Sequence, residues 1–277
     1  MRTVTLPGGE KVPALGQGTW YMGESAACRA EEIAALQAGI DMGMTLVDTA
    51  EMYGNGRSED LVGEAIAGRR DQVFLVSKVL PSNASRQGTK KACERSLKRM
   101  RTEALDLYLL HWQGGYPFEE TIAGMMDLKQ EGKIRHWGVS NMDVAEMREI
   151  FDVRKGNTCA VNQILYNLSR RGVEYDLLPW SRERSLPVMA YSPIEQSRIL
   201  KDRTLASVAK RHNATPAQVA LAWVLRNPGI IAIPKAGQVA HVQENAVSLN
   251  ITLTPDDLAE FDAAFRPPTR KMHLEML

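Results

Sequence analysis

Short apolar runs recur along the chain, separated by longer stretches in which apolar residues fall at helical spacing. The runs lie at Ala14 to Thr19, Met44 to Val47, Val73 to Ser77, Leu105 to Leu110, Ile134 to Val139, Thr158 to Val161, Leu186 to Ala190 and Ile230 to Pro234. Bounded by turn residues, such runs read as buried strands. Helices are expected at about residues 26–42 (Ile33, Leu36 and Ile40 on one face), from an N-cap at Ser58 to Ala67, and over Gln87–Met100 and Glu119–Gln130. Further helices follow Asp143 as a cap, run over Leu205–His212 and Val239–Val247, and begin behind Thr215-Pro216 (Ala217–Arg226) and Thr254-Pro255 (to Phe265). None is assigned between Gln163 and Leu186. Eight alternating units predict an α/β fold, a (β/α)8 TIM barrel. Residues 2–6 and Lys11–Pro13, around Pro7-Gly8-Gly9, add an N-terminal β-hairpin, and residues 266–277 a mobile C-terminal tail over the rim. No linker rich in Gly, Ser or Pro interrupts the pattern, so residues 1–277 read as a single domain.

In parallel α/β folds ligand sites gather at the carboxyl ends of the strands. Asp48 stands at such an end, and Tyr53 follows in a turn bounded by Gly54, Asn55 and Gly56. Lys78 comes 30 positions after Asp48, and His111 comes 33 after Lys78, each closing a strand. Those intervals suit one strand plus one crossover helix. Singly, each residue has a duller reading: Asp48 as a turn cap, Tyr53 as a half-buried loop aromatic, Lys78 as a solvated strand-end lysine, His111 as a satisfied core histidine. Together they put an acid, a phenol, an amine and an imidazole on one rim. Such a set can hold and move a proton. A phenol with its ordinary pKa of about 10 is a weak general acid, and a cationic Lys78 beside Tyr53 is expected to lower that pKa. Asp48 would hold Lys78 charged and oriented, and His111 would be a hydrogen-bonding partner for a ligand at the rim.

The run Asp48-Thr-Ala…Tyr53, with Lys78 and His111-Trp112, resembles the aldo-keto reductase family. So do Gly138-Val-Ser-Asn141, Asn162-Gln163, Tyr191-Ser-Pro193 and Ile233-Pro-Lys235…Glu244-Asn245. Within the family Gly16-Gln-Gly-Thr-Trp-Tyr-Met-Gly23 and Asn162-Gln163-Ile-Leu-Tyr166 look like bacterial reductases of methylglyoxal and other small aldehydes. The resemblance implies reduction of aldehydes and ketones with NADP(H), NAD(H) being a possible second cofactor, and Asp48, Tyr53, Lys78 and His111 as catalytic residues. It implies that Gly18, Thr19, Trp20 and Asp48 border the nicotinamide side of the cofactor. Ser140, Asn141 and Gln163 would bind the carboxamide, Tyr191 would stack on the ring, and Ser192, Pro193 and Ile194 would contact the pyrophosphate. Ile233, Pro234, Lys235, Ala236, His241, Glu244 and Asn245 would surround the adenosine phosphate, where a helix N-terminus favours anions. The substrate would meet Trp20, Tyr53, His111 and Trp112, with Met22, Tyr116 and Phe118 as further walls. Many family members carry Ser or Thr directly after the lysine and Arg six residues after it; Ala236 and His241 stand there instead. The expectation is a modest preference for NADPH over NADH, and a short loop after the seventh strand, Glu195 to Arg203, that leaves the cofactor open to exchange.

Composition narrows the alternatives. Net charge is +1 and charged residues make up 24%, which favours neither nucleic acid nor an acidic membrane surface. Three scattered cysteines (Cys28, Cys93, Cys159) without a Cys-x-x-Cys pair point to reduced thiols, a cytoplasmic location and no zinc knuckle. No His-x-His or His-Glu-x-x-His spacing suggests a metal, and no Gly-x-Gly-x-x-Gly follows a strand. A monomer acting on a small carbonyl is expected. The competing readings are a nucleotide-sensing regulatory subunit, like the barrels that accompany potassium channels, and a (β/α)8 isomerase or lyase without nicotinamide.

Overall fold

The computed structural model describes residues 2–277. A hairpin of β1 (Thr3–Thr5) and β2 (Lys11–Pro13) precedes eight parallel strands. These are β3 (Gln17–Gly18), β4 (Leu46–Asp48), β5 (Phe74–Val79), β6 (Leu105–Leu110), β7 (Ile134–Ser140), β8 (Asn162–Leu165), β9 (Val188–Tyr191) and β10 (Ile230–Ala232). Each pairs with its sequence neighbour, in order from β3 to β10. The sheet then closes on itself: Gly16 donates to the Ala232 carbonyl (2.9 Å), Gly18 to that of Pro234 (3.0 Å), and Ala232 to that of Ala14 (2.8 Å). At this seam a Cβ on Gly18 would stand 2.8 Å from the Ile233 carbonyl oxygen, so the closest approach requires glycine. Closure removes both sheet edges. Strands buried on both faces explain why their signal was a continuous apolar run rather than an alternation.

Among the described residues ten α-helices surround the sheet: α1 (Arg29–Asp41), α2 (Arg57–Ala65), α3 (Arg86–Met100), α4 (Phe118–Gln130), α5 (Val144–Asp152), α6 (Leu177–Glu183), α7 (Arg203–Arg211), α8 (Pro216–Leu225), α9 (Val239–Val247) and α10 (Pro255–Ala264). Asp143, Thr215 and Thr254 cap their helices as the sequence indicated, and each cap proves to be a capping box. Four expectations are corrected. Ser58 is not an N-cap; α2 begins at Arg57 behind left-handed Gly56, and the Ser58 hydroxyl is buried against Thr19 and Thr49. The sixth barrel strand lies later than its apolar run, because Asn162 and Gln163 are buried inside it with partners on Met142 and Asp48. Helix α6 escaped notice because it is seven residues long and carries Pro179, leaving too little sequence for a period to show. The tail is tied down: Lys271 pairs with Asp143 (3.0 Å) and Asp176 (3.4 Å), and Glu275 with Arg170 (2.5 Å).

Candidate active site

The ends of β4 and β5 lie side by side, with Asp48 opposite Val76 in register, and this brings Lys78 under the rim beside Asp48. Lys78 is fully buried, which rules out a solvated strand-end lysine. Its ammonium donates to Asp48 Oδ2 (2.8 Å), to the Thr49 carbonyl (2.8 Å) and to the Tyr53 hydroxyl oxygen (3.3 Å). Tyr53 reaches this point because the chain leaves β4 through a tight turn in which Gly54, Asn55 and Gly56 all hold positive φ (55°, 56° and 90°). The other oxygen of Asp48 accepts from Gln163 Nε2 (2.8 Å), and its backbone carbonyl accepts from the Thr19 hydroxyl (2.9 Å). The Asp48 carboxylate is therefore held across the barrel mouth from β8, which a turn cap would not need.

His111 follows β6, and its ring lies edge-on to Tyr53 with centroids 5.8 Å apart. Its Nδ1 is buried and has no partner among the described residues. That is not a satisfied core histidine. Burial, reinforced by the charge of Lys78, pushes the imidazole well below its usual pKa, so it is neutral. Burial also lowers Lys78, partly offset by Asp48. Tyr53 corrects an expectation: its phenol is pushed well above the usual range, first by burial and then by the Asp48 charge. Burial of the phenol and the Asp48 charge outweigh any lowering by the Lys78 cation.

Two cavities meet at this cluster. The larger, about 330 Å³, runs from Asp48 and Tyr53 past Trp20, Tyr191 and Ile233 to Lys235. Gly18, Thr19, Ser192, Pro193 and Ile194 line it as well. Exposed Lys235 forms no ion pair among the described residues, and its ammonium lies against Gly237 with the Glu32 side chain nearby. An elongated trough with aromatic walls at one end and an unpaired cation at the other fits a phosphorylated dinucleotide. The smaller cavity, about 200 Å³, is bounded by Tyr53, His111, Trp112, Trp20 and Tyr191, with Ser140, Asn141 and Gln163 in its wall. Here Tyr191 donates to Asn141 Oδ1 (2.9 Å), Asn141 Nδ2 donates to the His111 carbonyl (3.1 Å), and Ser140 donates to the Gln163 carbonyl (2.9 Å).

Several expected residues do not line either cavity. Met22 is fully buried in the core, Phe118 is buried at the start of α4, and Tyr116 is exposed; none of them lines either cavity. Pro234 serves the barrel seam, Ala236 is buried behind Lys235, and Asn245 is buried within α9. Glu244 accepts from the Thr215 hydroxyl, tying α9 to the cap of α8. His241 stands exposed on the first turns of α9. Sequence reasoning missed Tyr21, Gln196 and Ser197 in the larger cavity, and Met52, Met276 and Leu277 in the smaller. Tyr21, Gln196 and Ser197 follow named motif residues directly or nearly so, and Met52 directly precedes Tyr53; Met276 and Leu277 carried no signal at all.

The sequence profile of the Aldo/keto reductase family matches residues 14–266. The chain is 52% identical to the methylglyoxal reductase YeaE of Escherichia coli (strain K12), over 100% of this chain and 99% of that one. It is 30% identical to the glyoxal reductase of Bacillus subtilis (strain 168), with 94% and 92% covered. A crystal structure of an aldo-keto reductase from Klebsiella pneumoniae in complex with NADPH superposes with a TM-score of 0.97 at 50% identity, covering 100% of this chain and 99% of that one.

Proposed function

The chain belongs to the aldo/keto reductase family, and from that premise we propose that it reduces small aldehydes and dicarbonyls of the methylglyoxal type with NADPH. The observation that carries the reading is Lys78, sealed between Asp48 and Tyr53 where the two cavities meet. The cofactor fits the larger cavity, and when bound it supplies the hydride. Tyr191 and Trp20 would flank its reactive end and Lys235 would hold its phosphate. The chain's own task is the proton. Because Lys78 donates to the Tyr53 oxygen, the phenolic hydrogen is left for the carbonyl oxygen of a substrate in the smaller cavity. A phenol held above its usual pKa keeps that hydrogen throughout the neutral range. As it leaves, the Lys78 contact becomes an ammonium–phenolate bond, stronger than the neutral one it replaces. Neutral His111, which lines the smaller cavity, would fix the carbonyl's angle. Water then returns the proton to Tyr53.

Lys235 without a hydroxyl neighbour at Ala236, and with exposed His241 as the nearest substitute for an arginine, supports a modest preference for NADPH over NADH. We take residues 1–277 as one catalytic domain, acting as a cytoplasmic monomer; no described helix is long and apolar enough to cross a membrane, and the three cysteines are free. Sedimentation at the mass of a single chain is expected. A nucleotide-sensing subunit with little turnover is not favoured, since the relatives named above are reductases by description. Loss of the reduced-nicotinamide absorbance with methylglyoxal and a benzaldehyde, using NADPH and NADH in parallel, tests the assignment. No turnover of any carbonyl would overturn it.

A further inference from the structure

Two segments outside the sheet frame the groove. One is the turn after β9, where Ser192, Glu195, Gln196 and Ser197 hold φ of 46°, 49°, 52° and 67°. Four left-handed side-chain residues in six positions are costly unless surrounding contacts enforce them. Gln196 and Ser197 line the larger cavity. The other segment is the tail, whose last residues, Met276 and Leu277, line the smaller one. Neither segment is held by strand pairing.

One side chain grips both. Arg170, in the loop after β8, gives two donors to Glu195 Oε1 (Nε 3.2 Å, Nη2 2.9 Å) and a third to Glu275 Oε1 (Nη1, 2.5 Å). Glu195 is buried at 4% exposure, and its second oxygen accepts from Asn167 Nδ2 (2.8 Å), which also donates to the Ser192 carbonyl (2.9 Å). Arg198 adds a contact at 3.2 Å. A planar guanidinium with five fixed donors can serve two carboxylates at once; a lysine ammonium cannot do so with the same geometry. The Glu195 contact fixes the strained turn, and the Glu275 contact ends two residues from the tip that reaches the carbonyl side.

We propose that Arg170 is a positioning residue that couples seating of the nucleotide under the Glu195–Ser197 turn to closure of the C-terminal tail over the carbonyl. The inference rests on the larger cavity being the nucleotide site. Ordering the turn by a bound nucleotide sets Arg170, and Arg170 then holds Glu275. By reciprocity, a tail released from Arg170 must weaken nucleotide binding by the factor by which nucleotide strengthens the tail contact.

The test uses full-length wild type, Arg170→Ala, Arg170→Lys and Glu275→Gln, with three readouts: NADPH affinity by fluorescence, steady-state reduction of methylglyoxal, and trypsin cleavage after Lys271 with and without NADPH. NADPH is expected to slow wild-type cleavage at Lys271 by about fivefold or more, and to lose that effect in Arg170→Ala. Glu275→Gln, remote from the nucleotide cavity, is expected to weaken NADPH by about fivefold and raise KM with kcat within about twofold. Arg170→Lys should restore part of the coupling at most. NADPH that binds normally yet leaves tail cleavage unchanged, or Glu275→Gln with wild-type NADPH affinity, overturns the coupling alone. Wild type that binds no NADPH overturns the functional reading and the coupling with it. Should Arg170→Ala fail to fold, Glu275→Gln decides.

Discussion

At the scale of single residues, the site works by burying charges that must then satisfy one another. Lys78 and Asp48 are both nearly without solvent, so each depends on the other and on Thr49, Gln163 and Tyr53. Replacing Lys78 by Met leaves Asp48 buried without its cation, and urea denaturation should show a loss of about 3–5 kcal/mol. Tyr53→Phe removes only a hydroxyl at the junction of the cavities. Turnover should fall by about 10²-fold or more while NADPH affinity, read by fluorescence, changes by less than about twofold. A variant that keeps substantial reductase activity would mean that the proton comes from another group. His111 gives a stability prediction with a definite sign. Its folded pKa is depressed, so at acid pH the unfolded chain binds a proton that the folded chain refuses. Its contribution is therefore intact above the ordinary histidine pKa and lost as pH falls, by up to about 2 kcal/mol between pH 7 and pH 5. His111→Gln should flatten that part of the stability profile; an unchanged acid slope would refute the assignment.

At the scale of elements, the barrel's closing seam is the point of least tolerance. β3 is two residues long and joins β10 through Gly16, Gly18 and Ala232, where a Cβ on Gly18 meets backbone rather than a flexible side chain. Gly18→Ala must push β3 from Ile233 and is expected to cost about 1–3 kcal/mol. Because Gly18 also lines the larger cavity, proposed to hold the nucleotide, NADPH binding should weaken in parallel, measurable by titration. Helix boundaries behaved differently. Where a cap is a local hydrogen bond, as at Asp143, Thr215 and Thr254, the pattern along the chain located it. Ser58 misled because its hydroxyl serves Thr19 and Thr49, partners brought near by the barrel rather than by sequence.

At the scale of the molecule, the rim carries two adjoining cavities that share Trp20, Tyr53 and Tyr191, and the proposed reaction would place the nucleotide in one and the carbonyl in the other. The unpaired Lys235 at the far end sets the cofactor's expected polarity. Lys235→Ala should raise the NADPH dissociation constant by about tenfold and leave that for NADH nearly unchanged, a difference read in parallel titrations. Equal losses for both cofactors would place the 2′-phosphate elsewhere.

Strand number, their order of pairing, the hairpin and the four polar groups at the strand ends were legible in the chain itself. Apolar runs, caps and glycine turns are local consequences of backbone geometry and of the need to bury nonpolar surface. The tertiary structure alone decided the direction of the Tyr53 shift, since that depends on how deeply the phenol lies and on how near the Asp48 charge stands to it. It also decided that Asn162 and Gln163 lie inside a strand, that Met22 and Phe118 turn into the core, and that Met276 and Leu277 reach the carbonyl cavity. Each of these follows from distances between residues far apart in the chain, and electrostatic and packing energies depend on those distances, not on sequence separation.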